Sequence, residues 1–177
     1  MHLLSDKRAF LFDLGNTLVE VSHACEAAVS MMFYELDKRY NLSYTLKDAI
    51  RVWWGSWSKV TADSGLIKDK IRVLTELFCK KLEAPYDQRI ISHLIDIYYS
   101  YLIPLSKPFN SAIETLRKLK SKKRLIAIIS NCSERWGYGV IKTHSLDKLV
   151  DLTVISDEIG FSKPDPQIFL YALDKLG

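Results

Sequence analysis

Two short apolar runs far apart in the chain, Ala9-Phe10-Leu11-Phe12 and Leu125-Ile126-Ala127-Ile128-Ile129, constrain the fold more than any other feature. Neither alternates between polar and apolar residues, so neither reads as a strand with one wet face. Each has the pattern of a strand in a parallel sheet covered on both sides. The first run ends in a carboxylate, Asp13, and the Gly15-Asn16 pair just beyond it is a turn signal. An aspartate in that place is either an ordinary turn or cap residue, or a functional group presented at the tip of a buried strand.

Between the two runs the apolar period is helical. Ser22 is placed to cap a helix whose apolar face includes Ala24, Ala27, Ala28, Met31, Met32 and Leu36 and which ends near Asn41. Thr45 and Asp48 have the spacing of a capping box ahead of a helix carrying Trp53, Trp54 and Trp57, of which Trp53 and Trp57 share a face. A turn is predicted at Asp63-Ser64-Gly65 and a helix from about Ile67 to Leu82. Asp87 caps a fourth helix through Ile90, Leu94, Ile97 and Tyr101, which Pro104 is expected to stop. After Pro108 helices alternate with strands. Ser111 to Lys120 and Glu134 to Thr143 are helical, Arg124–Ser130 and Leu152–Ser156 are strands, and Asp165-Pro166 opens a last helix. Strands linked by helices in this way make right-handed βαβ units and a parallel sheet.

The chain has 177 residues, 48% of them hydrophobic, enough for one core carrying an insertion. Its formal net charge of +4 is mild, and much of it sits in Arg117-Lys118-Leu119-Lys120-Ser121-Lys122-Lys123-Arg124. No aromatic residue interleaves with that run, so it reads as a solvated helix end and not as a nucleic-acid surface. Cys25, Cys79 and Cys132 form no paired motif, which argues against a disulfide framework or a structural zinc site. His23, His93 and His144 lack ligand partners at usable spacing. With neither a secretory leader nor a membrane-length apolar run, the expected location is cytoplasmic, without membrane or nucleic-acid partners.

The strand ends carry the chemistry. The first ends in Asp13 with Thr17 four residues on, the second in Ser130-Asn131, and after the third comes Ser156-Asp157-Glu158-Ile159-Gly160-Phe161-Ser162-Lys163-Pro164-Asp165-Pro166. Ligands of open α/β sheets bind outside the carboxyl ends of the strands, so these groups are expected to converge. A carboxylate, a hydroxyl with neighbouring amides and an ammonium make a phosphoryl-transfer set.

In this order the motifs resemble those of the haloacid dehalogenase (HAD) superfamily. Its first motif, D-x-D-x-T, reads Asp13-Leu14-Gly15-Asn16-Thr17 here; Ser130-Asn131 resembles its second; and Lys163 in "SDEIGFSKPDPQIF" resembles the third. The resemblance implies a Rossmann-like parallel sheet core from residues 1–17 and 106–177, with an all-helical cap inserted at 18–105. It also implies that Asp13 is the nucleophile, that Lys163 assists it, and that Thr17, Ser130 and Asn131 bind a phosphorylated small molecule. Mg²⁺ would be held by Asp13 and the backbone carbonyl of Gly15.

Two departures stand out. Gly15 occupies the place of the family's second aspartate, the residue that protonates the leaving oxygen and later activates water. The fourth motif, an acidic cluster on a further strand beside the first, is expected after the helix beginning at Pro166, where the sequence reaches Gly177. Without that strand Ala9–Phe12 becomes an exposed apolar edge. Three accounts stand open: a fragment of a longer protein, which is the expectation adopted, a strand supplied by another chain, or a degenerate member. The expected activity is a Mg²⁺-dependent phosphatase of a small monoester. The alternatives are a metal-independent 2-haloacid dehalogenase, whose branch carries an aromatic residue at the Gly15 position, and a non-catalytic module.

Overall fold

A computed structural model describes residues 8–62 and 69–177. In chain order the elements are β1 (Ala9–Phe12), α1 (Ser22–Tyr40), α2 (Leu46–Ala62), α3 (Lys70–Lys81), α4 (Gln88–Leu105), α5 (Asn110–Ser121), β2 (Leu125–Ser130), α6 (Glu134–Thr143), β3 (Leu152–Ile155), α7 (Ser156–Ile159) and α8 (Pro166–Leu176), with a 3-10 turn at Leu146–Lys148. They form two compact units, Met1–Val21 with Ser106–Gly177, and Ser22–Leu105.

The first unit is a parallel sheet in the order β1-β2-β3. Phe12 lies opposite Ile128, and Ser130 lies opposite Ile155, so the three strands finish at the same edge. The centre of the unit is β2, whose residues Ile126 to Ser130 are all buried, as an apolar run without alternation requires. Against it α8 brings Ile168 and Ala172 onto Ile129 and Val154. Asp165 caps α8 by accepting the Gln167 N–H at 2.8 Å, and Pro166 fills its first turn. The third strand is one residue shorter than expected. Ser156 opens α7 instead, and Gly160, at φ +79°, ends that helix by donating its N–H to the Ser156 carbonyl at 3.0 Å. Among the described residues β1 pairs only with β2, and Leu11 is 37% exposed.

The chain leaves and re-enters this unit through one neck. Val19 and Pro108 form an antiparallel bridge, Glu20 N–H donates to the Lys107 carbonyl at 2.9 Å, and Phe109 N–H donates to the Leu18 carbonyl at 3.0 Å.

The second unit contains α1 to α4, with α1 packed chiefly along α4. The capping box forms as predicted: Asp48 N–H donates to Thr45 Oγ1 at 3.3 Å, and Thr45 N–H donates to Asp48 Oδ2 at 3.1 Å. Asn41, at φ +49°, closes α1. The predicted turn at Asp63-Ser64-Gly65 and the expected helix start at Ile67 lie outside the described residues. From Asp69, which accepts the Arg72 N–H at 3.3 Å, α3 is regular. Pro104 does not stop α4, which runs one residue further to Leu105. Trp53 and Trp57 lie at i and i+4 on α2, as expected, but differ in their surroundings. Trp53 is fully buried between the rings of Phe78 (5.7 Å) and Tyr98 (5.0 Å), whereas Trp57 meets Trp54 edge to face at 6.3 Å. None of the described helices is long and apolar enough to cross a membrane.

Candidate functional site at the strand ends

Asp13 directly follows β1 and stands at the edge where all three strands finish. The turn behind it is wound around one acceptor: the Leu14 carbonyl receives the N–H groups of Thr17 (3.4 Å), Leu18 (2.9 Å) and Val19 (3.0 Å). Asn16 takes the left-handed conformation at φ +55°, and its Oδ1 accepts the Val21 N–H at 3.1 Å. Asparagine is among the few residues that tolerate that backbone, which is the physical content of the Gly-Asn turn signal.

Lys163 comes to Asp13 from the loop between α7 and α8. Its ammonium pairs with Asp13 Oδ1 and also donates to the Ile129 carbonyl at 2.8 Å. The loop is held from the end of β2: Asn131 Nδ2 donates to the Lys163 carbonyl at 2.7 Å, and Lys163 N–H donates to Asn131 Oδ1 at 2.8 Å. The Lys163–Pro164 peptide bond is cis. On the other carboxylate oxygen, Thr17 Oγ1 donates to Asp13 Oδ2 at 3.4 Å. The carboxylate remains 37% exposed, so the ion pair contributes little stability, and its effect is to orient the two groups at the surface.

Four of the predicted residues, Asp13, Thr17, Asn131 and Lys163, are thus joined by hydrogen bonds. Ser130 lies at the end of β2 as predicted but is only 3% exposed, and its side chain hydrogen-bonds with Cys132. The Cys132 thiol is pushed up to about 12, first by burial and then by the carboxylates of Asp13 and Asp157; the bond to Ser130 and the Lys163 charge pull the other way. Such a thiol stays protonated and is a poor nucleophile.

Three groups at the site carry no signal in the local sequence. The Ile129 carbonyl holds the lysine. The Asp157 carboxylate accepts the Glu134 N–H at 3.4 Å at the start of α6. The third group is the Trp136 indole, which donates to Ser106 Oγ at 3.3 Å. Its Cη2 stands 3.4 Å from where a Cβ on Gly15 would lie, with Val21 Cγ2 at 3.5 Å. Helical spacing alone places Trp136 on α6 without saying that its ring reaches a turn at the other end of the sequence.

Among the described residues no group of three or more His, Cys, Asp or Glu side chains is arranged to hold a metal. Asp13 and Asp157 both lie close enough to act on the Cys132 thiol. One or two carboxylates are what Mg²⁺ takes, with water and substrate phosphate oxygens in its remaining positions.

The family model for haloacid dehalogenase-like hydrolases matches residues 7–177. The (S)-2-haloacid dehalogenase 4A of Burkholderia cepacia is 38% identical over 69 residues, 39% of this chain and 30% of that protein. A phosphoglycolate phosphatase of Aquifex aeolicus is 28% identical over 96% of this chain and 70% of its own length. The (S)-2-haloacid dehalogenase 1 of a Pseudomonas strain is 24% identical over 96% of this chain and 70% of its own length. The L-2-haloacid dehalogenase of Xanthobacter autotrophicus, solved with chloropropionic acid covalently bound, superposes with a TM-score of 0.64 at 18% identity over 97% of this chain and 65% of that one, a likeness of fold. The chain therefore spans from about a third to about 70% of the length of these relatives.

Proposed function

The chain belongs to the haloacid dehalogenase-like hydrolases, and from that premise we propose that it is the core of a phosphatase acting on small phosphorylated molecules through Asp13. The observation that carries this reading is the Asp13–Lys163 pair at the sheet edge, with the lysine loop clamped by both polar atoms of the Asn131 amide. A carboxylate positioned in this way is a nucleophile with a fixed counter-charge.

In the proposed reaction an Asp13 oxygen attacks phosphorus in line with the leaving oxygen, giving a phosphoaspartyl group that water then hydrolyses. Lys163 offsets part of the repulsion between carboxylate and phosphate, which is on the order of 4 kcal/mol per unit charge pair at 4 Å and an effective dielectric of 20. The backbone amides at the end of β2, around Ser130 and Asn131, would hold the phosphoryl oxygens, and Thr17 supports the carboxylate. Mg²⁺, held by Asp13 and the Gly15 carbonyl, would supply further positive charge against those oxygens.

A second reading is favoured by one observation. The dehalogenase branch carries an aromatic residue at the position of Gly15, and here the Trp136 ring packs beside Gly15 from α6. In that reading Asp13 displaces halide from a 2-haloacid without a metal.

The deciding assay follows phosphate release from 4-nitrophenyl phosphate with and without Mg²⁺, and chloride release from 2-chloropropionate, each beside Asp13→Asn. Phosphate release that needs Asp13 and rises with Mg²⁺ is expected. Chloride release without metal would move the assignment to the dehalogenase, and absence of any Asp13-dependent turnover would leave a non-catalytic module.

A further inference from the structure

The groups around Asp13 restrict which bonds it can break. Displacing an alkoxide from phosphorus requires a proton for the departing oxygen, and a positioned acid is worth about 10²–10⁴-fold. Among the described residues of this unit, the side-chain donors hydrogen-bonded to the carboxylate are already engaged. The Lys163 ammonium grips Asp13 Oδ1 and the Ile129 carbonyl, on the nucleophile's side of an in-line displacement. The Thr17 hydroxyl points to Asp13 Oδ2, and the Ser130 hydroxyl is buried against Cys132. The neighbouring Asp157 carboxylate accepts the Glu134 N–H. At the turn itself Gly15 has no side chain, and the atoms nearest to where its Cβ would lie are carbons, Trp136 Cη2 at 3.4 Å and Val21 Cγ2 at 3.5 Å.

Resting on the phosphatase reading, we propose that this site selects phosphoryl donors whose leaving group departs as a stable anion, namely acyl phosphates and phosphates of acidic phenols, and discriminates against alkyl esters. The Asp13 oxygen forms the new bond to phosphorus as the bond to the leaving oxygen breaks. That oxygen keeps the electron pair and departs as carboxylate or phenolate. Water then adds to phosphorus, the Asp13–phosphorus bond breaks, and the water proton passes to phosphate or solvent. The same turn offers no base for this second step, so the phosphoaspartyl group accumulates, and a burst of one phenolate per site precedes steady turnover.

The test is a series of aryl phosphates of graded phenol acidity, closed by acetyl phosphate at one end and an alkyl phosphate at the other. A steady fall in kcat/KM with leaving-group basicity is expected, with at least about 10²–10⁴-fold separating the alkyl ester from the most acidic aryl ester. In Gly15→Asp, whose Cβ meets only ordinary contacts at 3.4 and 3.5 Å, that gap should narrow. Alkyl and aryl esters turned over within about tenfold of each other by the unaltered chain would overturn the proposal, because a proton donor would then be present. So would a folded Gly15→Asp protein with the gap unchanged, which would assign the selectivity to binding. Absence of Asp13-dependent release from every donor would instead overturn the phosphatase reading on which the selection rests.

Discussion

Asn131 is an exposed residue whose amide replaces two backbone partners of the Lys163 loop, and Cys132 beside it shows how sharply the environment changes within one residue. Burial is the first cause that pushes the Cys132 thiol from 9.0 up to about 12, and it does the same to Cys79 in the helical unit. The unfolded chain releases these protons near pH 9, while the folded chain keeps them to about pH 12, so between those values the folded state binds more protons. Their stabilising contribution is therefore complete below about pH 9 and is lost progressively as the pH rises toward 12. Urea midpoints measured at rising alkaline pH should fall, and Cys132→Ala should flatten the fall; an unchanged slope in that variant would remove Cys132 from the account. At this scale the sequence shows residue types but not their surroundings. Asp13 is recognisable because a carboxylate is unusual at the end of a buried strand, and Lys163 by the motif in which it stands. Ser130 is recognisable by place, yet its burial against Cys132 depends on packing that no local pattern encodes.

Among the elements, α6 packs tightly on its support. A Cβ on Gly137 would lie 2.7 Å from Ile155 Cδ1 and 3.0 Å from Cys132 Sγ, so a larger residue there requires those side chains to give way. Gly137→Ala is expected to destabilise by about 1–3 kcal/mol through overpacking, read as a lowered denaturation midpoint. A neutral result would mean that Ile155 finds another rotamer at no cost. The same helix explains which elements sequence reading finds. The Thr45–Asp48 box and the Asp87 and Asp165 caps form as predicted because each is closed within three residues and owes nothing to tertiary structure. Pro104 and Ser156 depart from expectation for the opposite reason. A proline in the last turn removes little from a helix whose earlier turns are fixed by packing, and a serine after an apolar strand joins whichever element its next four residues build. The Trp136 contact with the Gly15 turn is tertiary throughout, which is why helical spacing left it silent.

For the whole molecule, order along the chain is the strongest signal: strand, helical block, then alternating helix and strand fix a parallel sheet before any contact is known. The exposed flank of β1 belongs to this scale too. A strand that, among the described residues, pairs on one side only, with Leu11 37% exposed, is a template for pairing with another strand. Light scattering of the 177-residue chain should rise with concentration, and Leu11→Lys should suppress the rise. Scattering that ignores the substitution would place any association on another surface. The neck at Leu18–Glu20 and Lys107–Phe109 has a wider consequence. Because departure and return are stapled together by main-chain bonds, the sheet unit treats everything between them as one long loop. The entropy of closing such a loop rises by only about 0.6 kcal/mol for each doubling of its length. The scaffold is therefore nearly indifferent to the size of what it carries there, and an insertion of another length would leave the strand ends in register.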